Sequence, residues 1–437
     1  MNLPLAEHYD AAAPMLAGAG LQWLDGLRRD GLARYRTLGL PGPRVEAWKY
    51  TNLTRMGRMK FAPSVLASPP SLDRVPAGAL AIDAPRLVLV NGCLRTDLSD
   101  IDALPEGFRI AGLREAIEAE PARFEALLGR GATGHDMPML ALNTAFLSDG
   151  LAIEVADGVD VKSPVHIVSV GVGDTDPIAF HPRHLIVLGD GAAATIYESH
   201  IGLDGAYLSN SVTEIALGTD AMLRHRKLQN ESVDAYHVAA TAVSIADRGR
   251  YENYTLHVGG RLARNEIHAA LNGRGIECQL YGAYAGRNGQ HIDTTTFVDH
   301  AQPECTSREV YKGALDDNAR GVFQGKILVR KDAQRTDGHQ LSKALLLSEG
   351  AELDAKPELE IYADDVKCSH GATAGELDEE QLFYLRARGI GEAEARDLLV
   401  SAFLEESLEV IGEDAPREAF RAVVSGWLAA RAARQEA

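Results

Sequence analysis

The chain has 437 residues, 46% of them apolar, which is enough for one large elongated domain or for two or three smaller ones. Its 62 acidic residues against 44 basic give a formal charge of −18, which argues against nucleic acid or an anionic membrane surface as the main partner. The four cysteines, Cys93, Cys278, Cys305 and Cys368, are scattered and form no CxxC pair, so a secreted disulfide scaffold is not expected. No apolar run reaches the roughly 18–20 residues of a membrane span, and MNLPLAEHYDAAAPM lacks the basic and apolar segments of a leader. A soluble protein with reduced thiols, in the cytoplasm, is expected.

Residues 1–150 read as a mostly helical region. Leu21, Leu24, Leu27 and Leu32 fall near helical spacing around Trp23, and Pro-Gly-Pro at 41–43 ends that pattern. RVEAWKYTNL follows, with Trp48 and Tyr50 expected to anchor a short element on the body. The stretch 67–78 is a Ser/Pro-rich loop, and RLVLVNGCL, 86–94, is a strand with Asn91-Gly92 as its turn. Segments 112–128 and 136–147 carry helical periodicity, the second with Asp136 as N-cap.

From Leu151 the period changes. A long succession of short strands reaches about residue 375, separated by Gly and Asp turns at near-regular spacing: Gly189–Gly191, Thr219-Asp220, Asp247–Gly249, Gly273–Gly275, Asp332. More than 200 residues of this pattern outrun an ordinary sandwich and predict a solenoid of stacked coils. A right-handed parallel β-helix is the first expectation, and a large sandwich or double barrel the second. Residues 376–437 are helical again, opened by Asp378 with Gln381 three residues on, a capping-box pattern. Leu398, Leu399, Ala402, Phe403, Phe420, Val423, Val424, Trp427 and Leu428 form apolar stripes. A unit this small packs on the solenoid, holds a partner, or does both.

Familiar catalytic patterns fail on inspection. GVFQGK, 321–326, has too few residues between its glycines for a P-loop and Ile327 where Ser or Thr should follow the lysine. GDGAAA, 189–194, is followed by a strand-like run where a dinucleotide site needs a helix. The 14 histidines include no HExxH, and His181 with His184 reads as a solvated loop pair more readily than as a metal pair. Cys305 reads as a buried thiol. Cys368-Ser369-His370 is different: in extended backbone the thiol and imidazole share a face, and both suit iron or another borderline-soft metal. They would make half a site, with a second chain supplying the rest; a structural strand-end pair is the alternative. A solenoid enzyme acting on a polysaccharide would want acids clustered on adjacent coils, and no distinctive pairing of acids is seen.

RVEAWKYTNL, the run GRNGQHIDTTTFVDHAQPECTSREVYKGALDDNARGVFQGKILV at 286–329, and KPELEIYADDVKCSHGATAGELDEEQLFYLRARGI at 356–390 resemble the SufB/SufD family of the Suf iron–sulfur cluster assembly machinery. The WKYTNL stretch, the CSHGAT form and the modest length are similar to its SufD branch, with a SufB-like paralogue as the alternative. The resemblance implies a right-handed β-helix, 151–375, between a helical amino-terminal region, 1–150, and a carboxy-terminal helical domain, 376–437. It implies a scaffold that is no ATPase, pairing through its β-helix with a SufB-like subunit. It further implies a SufC-like ABC ATPase, which binds the ATP, held on the carboxy-terminal helices; a homodimer of the isolated chain is also allowed. A nascent iron–sulfur cluster would form at the interface against Cys368 and His370, with no cofactor bound tightly by this chain alone. A purely structural adaptor without cluster contact is the competing role.

Overall fold

The computed structural model describes residues 5–130, 137–174, 176–203 and 205–435. Its centre is a parallel β-solenoid of about 8 turns, with helices toward both chain ends. From Arg183–Leu188 onward successive strands alternate between two sheets, so each pairs with the strand two places on; the short strand Ile178–Phe180 joins the first sheet beside Tyr207–Leu217. One sheet runs from Glu352–Ile361 through Arg320–Val329, His291–His300, Leu262–Leu271, Tyr236–Ile245, Tyr207–Leu217 and Arg183–Leu188 to Gly150–Val155. The other runs from Lys367–Gly375 through Asp337–Leu346, Thr306–Leu315, Glu277–Gly286, Arg250–His257, Met222–Asn230 and Ala193–Gly202 to Val165–Gly171. Parallel register throughout these ladders removes the sandwich alternative, whose sheets would be antiparallel.

Coils stack in register because like positions fall on like. Leu223, Tyr251, Cys278, Ser307, Gly338 and Cys368 form one inward column across six coils. Most of the apolar inward residues join one continuous interior cluster. At one corner each coil turns through a left-handed residue: Gly158, Gly191, Asp220, Arg248, Gly275, Glu304 and Arg335, all with φ between 55° and 70°. Their N–H groups donate to the carbonyls of Asp190, Thr219, Asp247, Arg274, Pro303, Gln334 and Asp365, each one coil further on. The turn dipeptides visible in the sequence are this ladder seen in one dimension.

Before the solenoid, helix Gln22–Leu38 packs on helix Pro138–Ala145, where a Cβ on Gly31 would lie 2.9 Å from the Ala141 carbonyl oxygen. The helical segment expected over 112–128 is two helices, Leu113–Ala119 and Pro121–Leu127, because Pro121 has no N–H to continue the first. The expected cap at Asp136 lies outside the described residues, and Met137 precedes the helix. After the solenoid come helices Glu379–Arg386, Glu392–Glu405 and Asp414–Gln435, the first capped by the Asp378 carboxylate, which accepts from the N–H groups of Glu380 and Gln381. Val400, Leu404, Phe420 and Trp427 bury against Tyr254, Leu256, Ala283 and Ala314 on the outer sheet face, and Arg431 bridges Asp316 to Asp397. No described helix is long and apolar enough to cross a membrane.

Candidate functional site at the open end of the solenoid

Lys367–Gly375 is the last strand of its sheet: it pairs with Asp337–Leu346 on one side and, among the described residues, with nothing on the other. Cys368 stands over Gly338 and His370 over Gln340, both in the inward row. The two side chains part company there. Cys368 is half-buried and packs against the interior cluster, and burial pushes its thiol pKa up. His370 is exposed, because no further coil covers it. The sequence suggests a segment closing at Gly371; the strand instead continues to Gly375, since a parallel ladder needs only backbone groups.

One coil inward, Gln340 is 2% exposed and donates through Nε2 to Glu309 Oε1 at 2.9 Å. Thr296 donates to the other Glu309 oxygen. Burial pushes the Glu309 pKa up to about 7, against the hydrogen bonds from Thr296 and Gln340. On the outer face of the same two strands, His339 contacts Ser369 through Nδ1 and lies 2.7 Å from Asp337 through Nε2, with Arg308 at 2.8 Å from Asp337. Among the described residues no three His, Cys, Asp or Glu side chains converge on a point that could hold a metal ion. Cys368 and His370 could therefore serve a metal only as a partial ligand set.

The other motifs resolve into structure. GVFQGK lies inside the strand Arg320–Val329, and GDGAAA is a coil turn leading into the strand Ala193–Gly202. His181 and His184 are no solvated pair: both are buried, and adjacent elements take them apart. His181 stacks on Phe146 at 5.2 Å, while His184 Nδ1 accepts the Leu151 N–H at 3.2 Å. Cys278 and Cys305 are fully buried, and burial raises both thiols. Trp48 is buried as expected, and its partner is new: the Arg264 guanidinium lies 4.0 Å over its ring and donates to the Ala47 carbonyl.

Sequence reasoning missed the solenoid's polar interior. Glu198 accepts from His200 Nε2 at 2.6 Å and His225 Nε2 at 2.9 Å; His237 Nδ1 lies 2.7 Å from Glu231. Burial works against both carboxylates. Even so, Lys227 and His200 hold Glu198 well below its usual range, and His237 lowers Glu231. Apart from Glu231, which follows the strand Met222–Asn230, these residues sit on strands of separate coils, a pattern no local motif search registers.

Comparison with known proteins decides the lineage. Residues 171–403 match the family model described as SUF system FeS cluster assembly, SufBD core domain, and residues 2–167 match the SufBD protein N-terminal region. The chain belongs to the SufBD family. The iron–sulfur cluster assembly protein SufD of Escherichia coli K12 is 32% identical over 385 residues, covering 86% of this chain and 86% of that protein. An iron–sulfur cluster assembly SufBD family protein of Synechocystis is 32% identical over 389 residues, 86% and 84% of the two chains. A chloroplastic protein of Arabidopsis thaliana is 33% identical over 297 residues, 66% of this chain and 62% of that one. The chain is thus a SufBD protein of iron–sulfur cluster assembly with SufD-like relatives. The SufBD core match covers the open coil with Cys368 and His370 and continues into the first two carboxy-terminal helices.

Proposed function

We propose that this SufBD chain is a cytoplasmic, non-ATPase scaffold that joins a SufB-like subunit through the open end of its solenoid. In this reading Cys368 and His370 supply part of the ligand set for a cluster assembled at the junction. The carrying observation is the uncovered terminal coil, where these two residues share an unpaired strand. The Lys367 N–H donates inward to Thr336. By alternation, the N–H groups of Cys368, His370, Ala372 and Ala374 face outward, ready for a facing backbone. Thiolate and imidazole from one chain and further ligands from another complete an iron site that neither chain holds alone.

The carboxy-terminal helices are the proposed seat of a SufC-like ATPase, which would bind the ATP. Phe383 is 74% exposed and Tyr384 55% exposed. Phe383 lines a groove of about 920 Å³ together with Leu346, Leu382, Arg386 and Arg396. In the absence of the SufB-like chain, the same open edge would serve a homodimer.

The test is co-expression with the SufB-like and SufC-like subunits, anaerobic purification, and measurement of bound iron and sulfide. His370→Ala should leave the complex intact and strongly lower its cluster content, and Cys368→Ser should lower it less. Full loading by the His370→Ala complex would leave the purely structural adaptor as the better reading.

A further inference from the structure

We infer that Gln340, locked by Glu309, positions the His370 imidazole for metal by taking its second ring N–H. The inference rests on the reading of His370 as a metal contact. The two residues are register partners on neighbouring strands, about 4.8 Å apart along the solenoid axis, and both belong to the inward row.

Gln340 is built into place. Its Nε2 donates to Glu309, and Thr296 donates to the other Glu309 oxygen, so with Glu309 ionised a turned-over amide would set its own oxygen against a carboxylate oxygen and lose a buried hydrogen bond. Gly325 makes the room: a Cβ there would lie 2.9 Å from Gln340 Nε2. That arrangement leaves Oε1, which has no hydrogen-bond partner among the described residues although the residue is 2% exposed. A buried carbonyl oxygen without a donor is costly. The residue stacked above it on the uncovered coil is an imidazole.

The chemistry of the pair is complementary. A neutral imidazole that gives one nitrogen to a metal keeps an N–H on the other, and that N–H needs an acceptor. An amide oxygen accepts without competing for the proton, which fixes both tautomer and ring orientation. Glu309, Gln340 and His370 thus form a line from the interior to the rim, with Gln340 as a positioning residue. It does not itself touch the metal.

The test uses the complex with the SufB-like subunit and Co²⁺ as an anaerobic stand-in for Fe²⁺, read by its visible absorption and by titration. Gln340→Leu should weaken Co²⁺ binding about 10- to 100-fold and shift the absorption band, with subunit pairing unchanged. The exchange Glu309→Gln with Gln340→Glu keeps a hydrogen-bonded pair and an acceptor below His370, and should restore affinity to within a few-fold. Unchanged Co²⁺ binding in Gln340→Leu, alongside lost binding in His370→Ala, overturns the inference and leaves the reading of His370 standing. Unchanged binding in His370→Ala overturns that reading itself. Should Gln340→Leu fail to fold, the unmodified complex loaded with Zn²⁺ decides: ¹⁵N-labelled His370 should show a slowly exchanging ring N–H, and rapid exchange overturns the inference.

Discussion

The two ends of the solenoid are built to opposite rules. At the start, the strands Arg86–Val90 and Cys93–Leu94 reverse through Asn91 and Gly92, both with positive φ, and pair antiparallel. Phe108–Gly112 likewise runs antiparallel to Gly150–Val155. Helices Leu113–Ala119 and Pro121–Leu127 then cover this end through Leu113, Ile117 and Phe124. At the finish, among the described residues, no strand reverses and no helix pairs along the edge; only Glu46 of the short helical turn Glu46–Trp48 reaches the last coil, as an ion pair with Lys356. Glu352–Ile361 carries a run of charges: Glu352, Glu358 and Glu360 are exposed, while Asp354 and Lys356 are half-buried in ion pairs with Arg320 and Glu46. Its Glu352 N–H donates inward to Ala319, so by alternation position 357 faces outward, and Pro357 has no N–H to offer. Charge and proline blunt an edge against indiscriminate pairing. The neighbouring strand Lys367–Gly375 has neither device over Cys368–Gly375. The contrast teaches that one end is finished and the other is selectively left open.

The largest effect is expected from acid, and it falls on the covered coils rather than on the open edge. Burial lowers His166, His184, His237 and His300 to about 4 and His181 to about 3, and all of these lie inward of the last two strands. Between those values and an unfolded pKa near 6.5, the unfolded chain takes up protons that the folded chain refuses. Stability is then complete above about pH 6.5 and falls as pH drops, by up to about 1.4 kcal/mol per pH unit for each histidine. Glu309, raised to about 7, works in the opposite sense over pH 4.5–7, as does the raised Asp149 at lower pH, but burial lowers His257 and His291 as well, so the histidines outnumber them. Urea unfolding should show stability dropping by several kcal/mol between pH 7 and pH 5; a flat profile would mean these imidazoles are hydrated in the fold.

A smaller effect is expected from Gly31→Ala, which loosens the helical region before the first coil. The new methyl would lie 2.9 Å from the Ala141 carbonyl oxygen and 3.1 Å from the Ala145 backbone nitrogen. Overpacking costs about 1–3 kcal/mol, against about 1 kcal/mol gained in helix propensity, so a net loss of about 1 kcal/mol should appear in thermal melts. At the other end, Ala372→Pro removes an outward N–H without touching a ladder bond. Titration should show about tenfold weaker pairing with the SufB-like subunit and an unchanged Tm. If Tm falls instead, the outward N–H assignment is wrong. Least of all, Arg335→Gly should stabilise the protein by about 0.5–1 kcal/mol, because it relieves a left-handed backbone and gives up only an exposed pair with Glu304.

Much of this design was legible in advance, and for identifiable reasons. The coil turns were visible because Gly and Asp recur where left-handed backbone is required, at Gly191, Asp220 and Gly275. Cys368 and His370 were legible as a same-face pair because the relation is local. Their different burial was not, since it depends on which coil is last and on the missing side chain of Gly338. Trp48 read as an anchor, but Arg264, its partner, is more than two hundred residues away. The interior imidazoles escaped for the same reason: His200, His225 and His237 meet only once the coils are stacked.

The ladder of left-handed turns makes the molecule's length a counted quantity. Each turn N–H answers to a carbonyl one coil further on, so a whole coil of roughly 30 residues could be gained or lost and the ladder would close again. Half a coil could not, because it would set the strands of one sheet against the other. Length therefore changes in steps of one strand spacing, about 4.8 Å, while the edge offered at the open end stays the same. A lineage built this way can tune the distance between the covered end and the open edge without redesigning either.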